Sequence, residues 1–128
     1  MSKVVVFVDD SKTVLLTAQM AVKPLVGNGD IELEIFENPL NLLEVVKDGL
    51  TYDLLITDVN MPQMNGLDMA RELKADPNLK VKPILALTTE NAPEKKAQAK
   101  EIGLAGWITK PFSPEKLVMG IKRVLRLR

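Results

Sequence analysis

Apolar and polar positions along the chain fall into five rounds of one alternation, a short apolar run followed by a longer stretch with helical periodicity. The runs Val4–Val8, Ile31–Phe36, Asp53–Thr57, Pro83–Leu87 and Ala105–Thr109 have the length and apolar, often β-branched make-up of buried strands. A first helix starts near Lys12 and carries Val14, Ala18, Ala21 and Leu25 on one face, with Pro24 late enough to kink or end it. The turn Gly27-Asn28-Gly29-Asp30 follows. Asn38-Pro39, a cap with Pro at the first helical position, opens a second helix that runs to about Asp48-Gly49. A loop over Met61–Gly66 leads to a third helix, Leu67–Ala75, which Asp76-Pro77-Asn78 breaks. Pro93–Ile102, closed by Gly103, and a last helix from Ser113-Pro114-Glu115 to about Arg126 complete the pattern. Short connections between alternating elements predict an α/β fold: a (βα)5, doubly wound, three-layer domain with a parallel five-stranded sheet and helices on both faces.

Composition narrows the chemistry. The chain has 128 residues, 46% of them hydrophobic, which suits one domain with a real core over residues 1–128. Its formal net charge is zero, which argues against a nucleic-acid-coating or membrane-surface protein. The cations Lys122, Arg123, Arg126 and Arg128 read as the solvated end of the last helix, where they suit its dipole. There is no cysteine and no histidine, so thiolate chemistry and the commonest general base and metal ligand are excluded. The N-terminus enters a strand directly, without a signal-peptide pattern, and no apolar run is long enough to span a bilayer. The expectation is a cytoplasmic monomer.

The stretch Leu54-Leu55-Ile56-Thr57-Asp58-Val59-Asn60-Met61-Pro62 organises the rest: an apolar run ends abruptly at an acid, and a Pro stops regular pairing soon after. In a parallel sheet, whatever follows each strand gathers at one edge, where open α/β sheets bind ligands. Here that edge collects Asp9-Asp10, Asp58, Thr88 and Lys110. Read singly, Asp9-Asp10 is a helix N-cap pair, Thr88 a turn hydroxyl and Lys110 a surface cation. Read jointly, three acids repel one another by roughly 4 kcal/mol per close pair at an effective dielectric near 20, and Lys110 alone does not neutralise them. Such a cluster needs a hard cation, and carboxylate oxygens with carbonyls and waters suit Mg2+. With a lysine and a hydroxyl beside it, the cluster is equipped to hold a dianionic phosphoryl group, and a carboxylate there can be the nucleophile. The residues therefore point to Mg2+-assisted phosphoryl transfer to an Asp.

The motifs Val8-Asp9-Asp10, Thr57-Asp58-Val59-Asn60-Met61-Pro62 with Asn65-Gly66, Leu87-Thr88 and Lys110-Pro111-Phe112, in this order and spacing, resemble the receiver domains of two-component response regulators. The likeness covers nearly the whole chain and is closest to the single-domain chemotaxis type. It implies the flavodoxin-like strand order 2-1-3-4-5, which is that family's known arrangement. It further implies that Asp58 is the phosphoacceptor. Asp10 holds Mg2+ directly, Asp9 acts mostly through water, and Asp58 and the backbone carbonyl of Asn60 complete the metal set. Lys110 contacts the phosphoryl group, Thr88 hydrogen-bonds it and moves inward, and Trp107 stands at the aromatic switch position. Lys110-Pro111 is expected to be a cis peptide, and Gly66 to let the loop turn tightly. Asn65 stands where Asp is common, Thr89 where a smaller residue is usual, and Trp107 where Tyr or Phe is usual. The implied partners are a sensor histidine kinase or phosphotransfer protein and an unknown downstream protein on the face of the fourth helix, fifth strand and fifth helix. Nucleic acid and membrane are not among them.

The resulting expectation is a stand-alone receiver without an output domain, phosphorylated from a phosphohistidine. It would not be an enzyme beyond catalysing its own phosphorylation and dephosphorylation, and its pathway would be of the chemotaxis kind. A phosphate sink or relay carrier fits the same residues. So does a Mg2+-dependent phosphatase with an Asp nucleophile, although such enzymes carry Asp-x-Asp after the first strand and this chain has adjacent Asp9-Asp10. A flavin or nucleotide binder would want a Gly- or hydroxyl-rich phosphate loop where those acids stand.

Overall fold

Each apolar run becomes a strand of one parallel sheet in a computed structural model that describes residues 2–89 and 93–127. The elements are β1 (Lys3–Val8), α1 (Lys12–Gly27), β2 (Ile31–Phe36), α2 (Pro39–Lys47), β3 (Leu54–Asp58), α3 (Gly66–Lys74), β4 (Ile84–Thr88), α4 (Pro93–Ile102), β5 (Gly106–Thr109) and α5 (Pro114–Leu125). All neighbouring strands pair in parallel, in the order β2-β1-β3-β4-β5. The order reverses between β1 and β3, so the crevice of an open doubly wound sheet lies past those two strand ends.

Strand alternation divides the core. Val5 and Phe7 of β1, Leu54 and Ile56 of β3, and Leu85 and Leu87 of β4 pack with α1 and α5. Val6, Val8, Leu55 and Ile84 point the other way, onto α2 and α3. The central strand β3 is buried at all five positions, as expected for a strand covered on both faces. At one edge, β2 exposes Glu32 and Glu34, charges that discourage edge-to-edge pairing. Side-chain caps start four of the helices: Ser11 for α1, Asn38 for α2, Asn65 for α3 and Ser113 for α5.

Three local expectations are corrected. Pro24 neither ends α1 nor sets its boundary. The helix runs on through it to Gly27. The buried stripe of α1 is Leu15, Ala18, Val22 and Leu25, with Val14 and Ala21 only half-buried beside it. The stripe is turned because α1 packs against α5 as well as the sheet. β3 and β4 each run one residue further than expected, so Asp58 and Thr88 are the last residues of their strands. Arg126 takes a left-handed conformation (φ 57°) at the end of α5, and Arg128 lies outside the described residues. Among the described residues no helix is long and apolar enough to cross a membrane.

Candidate functional site

Asp9 follows β1 directly, and its N–H donates to Phe36 O at 3.1 Å, which keeps it in line with the sheet edge. Its side chain is fully buried, and Oδ1 accepts from Ser11 N at 2.9 Å. Ser11 Oγ in turn accepts from Val14 N at 3.3 Å and caps α1. The cap is therefore Ser11 and not the Asp9-Asp10 pair, and Asp10 is left exposed at the mouth. Asp58 is 5% exposed at the end of β3. Carboxylate oxygens of Asp9, Asp10 and Asp58 all lie within 4.8 Å of one another.

Lys110 enters from the far side of the sheet. Its backbone N–H donates to Thr88 O at 2.8 Å, and the Lys110-Pro111 peptide is cis. Its ammonium group stands 2.7 Å from Asp9 Oδ2 and 3.3 Å from Asp58 Oδ1. Burial pushes the Asp58 carboxyl up to about 6, the Asp9 carboxylate pushes it the same way, and Lys110 pulls it down. The site thus carries more negative charge than its one lysine can settle. Asp9 Oδ2 is buried and accepts no well-directed hydrogen bond among the described residues; its contact with Lys110 is an ion pair only. A buried carboxylate oxygen short of donors, in a set made only of oxygens, fits a hard divalent cation.

The loop after β3 is pinned through both backbone polar groups of its first residue. Val59 N donates to Leu87 O at 3.2 Å, and Val59 O accepts from Gly66 N at 2.8 Å. Gly66 has no positive φ, so it serves the close return of the loop through its lack of a side chain and not through a left-handed backbone. A Cβ on Gly66 would overlap the Asp58 carbonyl oxygen and stand 3.1 Å from Val59 Cα; the position needs space. Asn65 accepts from Leu67 N at 2.8 Å and caps α3. Asn60 is exposed, and its side-chain oxygen accepts from Lys95 Nζ of α4 at 3.1 Å.

Thr88 is fully buried at the end of β4, in register with Thr109. Trp107 lies opposite Ala86 and packs into a small cluster with Val59, Leu67 and Ala99. It is half-buried, and its indole Nε1 is enclosed without a hydrogen-bond partner among the described residues. The structure therefore gathers Asp9, Asp10, Asp58 and Lys110 into one cluster, with Asn60 and Thr88 at its borders. Trp107 sits apart, beside Ala86 and against the small cluster that also holds Val59. Thr89 is exposed and lines a recess of about 280 Å³ with Val14, Thr17, Lys110, Pro111 and Phe112. Sequence reasoning missed Lys95: it stands 35 positions from Asn60, on a helix whose charges show no single polar face.

Residues 5–122 match the family model of the response regulator receiver domain. The chain is 33% identical over 113 residues to chemotaxis protein CheY-3 of Vibrio cholerae, covering 88% of this chain and 84% of that protein. It is 36% identical over 118 residues to chemotaxis protein CheY1 of Helicobacter pylori, covering 92% and 93%. Among solved structures, the chemotaxis response regulator CheY4 of Vibrio cholerae superposes with a TM-score of 0.83 at 36% identity, covering 97% of this chain and 99% of that one.

Proposed function

The chain belongs to the response regulator receiver domain family, and from that membership we propose that Asp58 is its phosphoryl acceptor. It is the receiver domain of a response regulator. Phosphorylation on an aspartate is general for such domains, which bind Mg2+ at an acidic pocket and interact with histidine kinases or phosphotransfer proteins. The observation that carries the assignment to Asp58 is its placement at the end of the central strand, with Lys110 3.3 Å away and two further acids around it.

In the proposed reaction a carboxylate oxygen of Asp58 attacks the phosphorus of a phosphohistidine. An O–P bond forms as the P–N bond breaks, and the leaving imidazole keeps the electron pair and takes a proton from solvent. Lys110, already against Asp58, follows the charge onto the phosphoryl oxygens, and the Thr88 hydroxyl donates to one of them. Asp9, Asp10, Asp58 and the Asn60 carbonyl would hold Mg2+, which supplies the positive charge that lets a dianion approach three carboxylates. Hydrolysis reverses the gain: water attacks phosphorus, the O–P bond breaks and phosphate leaves. Both steps act on the chain itself, so it turns over no separate substrate as an enzyme does.

Exposed Leu16 and Met20 on α1, close in sequence to Val14 and Thr17 of the recess beside Lys110, favour docking of the phosphoryl donor on this side. The downstream partner falls to the α4-β5-α5 face. There Lys96 and Lys100 flank one side of β5 and Lys116 and Arg123 the other, around Trp107. That rim favours a protein with acidic side chains. The names of the relatives point to a chemotaxis pathway. Transfer from a phosphorylated histidine phosphotransfer domain, run beside an assay on a small phosphate ester, tests the reading. Single-turnover labelling of the chain without ester hydrolysis supports it; steady ester turnover without a stable labelled chain contradicts it.

A further inference from the structure

α4 has one buried residue, Ala99, and its other positions are largely charged and exposed. Lys95 departs from that pattern. It is half-buried, and its ammonium group donates to Asn60 Oδ1 at 3.1 Å across 35 positions of sequence. Asn60 is carried by a backbone that cannot move away easily, since Val59 beside it is bonded to both Leu87 and Gly66. Lys95 thus adds a polar tie between a weakly packed helix and the loop that borders the acid cluster.

We propose that Lys95 is a positioning residue that couples α4 to the charge held in the acid cluster. The inference rests on the reading of Asp9, Asp10 and Asp58 as the metal and phosphoryl site. Three carboxylates with Lys110 alone leave net negative charge, which favours an ammonium group held at the border. Mg2+ in the cluster cancels that charge and weakens the tie. Conversion of Asp58 to its acyl phosphate exchanges one negative charge for two and draws Lys95 back. α4 therefore has different restraint in the three states, and by reciprocity the restraint alters the affinity of the cluster for Mg2+.

The test is Mg2+ affinity by calorimetry, with hydrogen exchange of the α4 amides, on the full chain. Lys95→Met removes the charge and the donor, Lys95→Gln keeps a donor without the charge, and Lys95→Arg keeps both. The expected result is that Met and Gln variants bind Mg2+ about two- to fivefold more tightly, the size of an exposed charge contact, while Arg binds as wild type. Exchange in α4 of the wild type should rise with Mg2+ and fall again with Mg2+ and beryllofluoride, and in Lys95→Met it should not respond. Unchanged affinity and an unchanged exchange response in Lys95→Met, with Asp58 still phosphorylated, would overturn this inference alone. A wild type that binds no Mg2+ would overturn the reading of the site and the inference with it.

Discussion

Gly66 lies directly against the Asp58 carbonyl, so closely that a side chain at position 66 has nowhere to go. The first residue of α3 is thereby seated under the last residue of β3, and Gly66 N donates to Val59 O at 2.8 Å to hold it there. Because the clash is with backbone on a buried strand, no rotamer change relieves it. Gly66→Ala should lose about 1–3 kcal/mol of stability, the usual cost of overpacking, and should slow phosphorylation because Asp58 shifts. Urea unfolding and rates with a small phosphoryl donor check both. Wild-type stability in the variant would show that the loop has slack.

Asp58 gives the chain without metal a particular pH dependence. Its pKa is raised by burial and by Asp9 from 3.8 to about 6, so the folded state holds a proton that the unfolded state has lost in between. The cost of the charge is absent below the unfolded value and fully present above the folded one. Stability from this group therefore falls as pH rises from about 4 to about 6. Asp58→Asn removes the titration while Lys110 keeps its 2.7 Å contact with Asp9. In EDTA the variant should be more stable than wild type at pH 7.5, by about 1–3 kcal/mol at 1.36 kcal/mol per pH unit, with most of the gap gone near pH 4. Denaturant melts across that range measure it, and a gap independent of pH would contradict the assignment.

The exposed Leu16 and Met20 of α1 are proposed as donor-docking residues. Exchanging both for Glu should slow transfer from a phosphohistidine partner about tenfold or more, as hot-spot losses of 1.4 kcal/mol or above do. Labelling by acetyl phosphate, which needs no docking surface, should stay as it was. Rates with the two donors separate docking from damage to the site: equal slowing places the two residues in folding.

Trp107 is the only Trp, so its fluorescence reports one place. It is half-buried, opposite Ala86 and against the small cluster that includes Val59. We propose, as the family resemblance implies, that Thr88 turns toward the phosphoryl group and vacates volume that the indole then fills. Burying indole area is favourable by roughly 25 cal/mol per Å². Beryllofluoride with Mg2+ should shift the emission to the blue, and Thr88→Ala, which keeps Asp58 and the metal ligands, should shrink the shift. An unchanged spectrum at saturation would make Trp107 a static member of its cluster.

The architecture was legible because period and punctuation agreed: apolar strand runs ended at polar or charged residues, and Asn38-Pro39 and Ser113-Pro114 marked helix starts that the caps then occupy. The acid cluster was legible for the same reason, since a parallel sheet sends every strand end to one edge. Two kinds of feature were not. Which stripe of α1 is buried depends on its contact with α5, a tertiary choice that periodicity leaves open between Val14 and Leu15. The Lys95 contact with Asn60 arises from residues brought together only by the fold, 35 positions apart, and the exact space that Gly66 leaves for Asp58 depends on how the β3–α3 loop closes. No local pattern encodes the first.

The central claim is that Asp58 accepts a phosphoryl group in a site that requires a divalent cation. Intact-mass analysis after incubation with acetyl phosphate tests it most directly, on wild type and Asp58→Asn, each with Mg2+ and with EDTA. The account predicts one added phosphoryl group on wild type in Mg2+, lost on treatment with hydroxylamine as an acyl phosphate is, and none in the other three samples. Equal labelling of Asp58→Asn, or labelling of wild type that EDTA leaves unchanged, would contradict it.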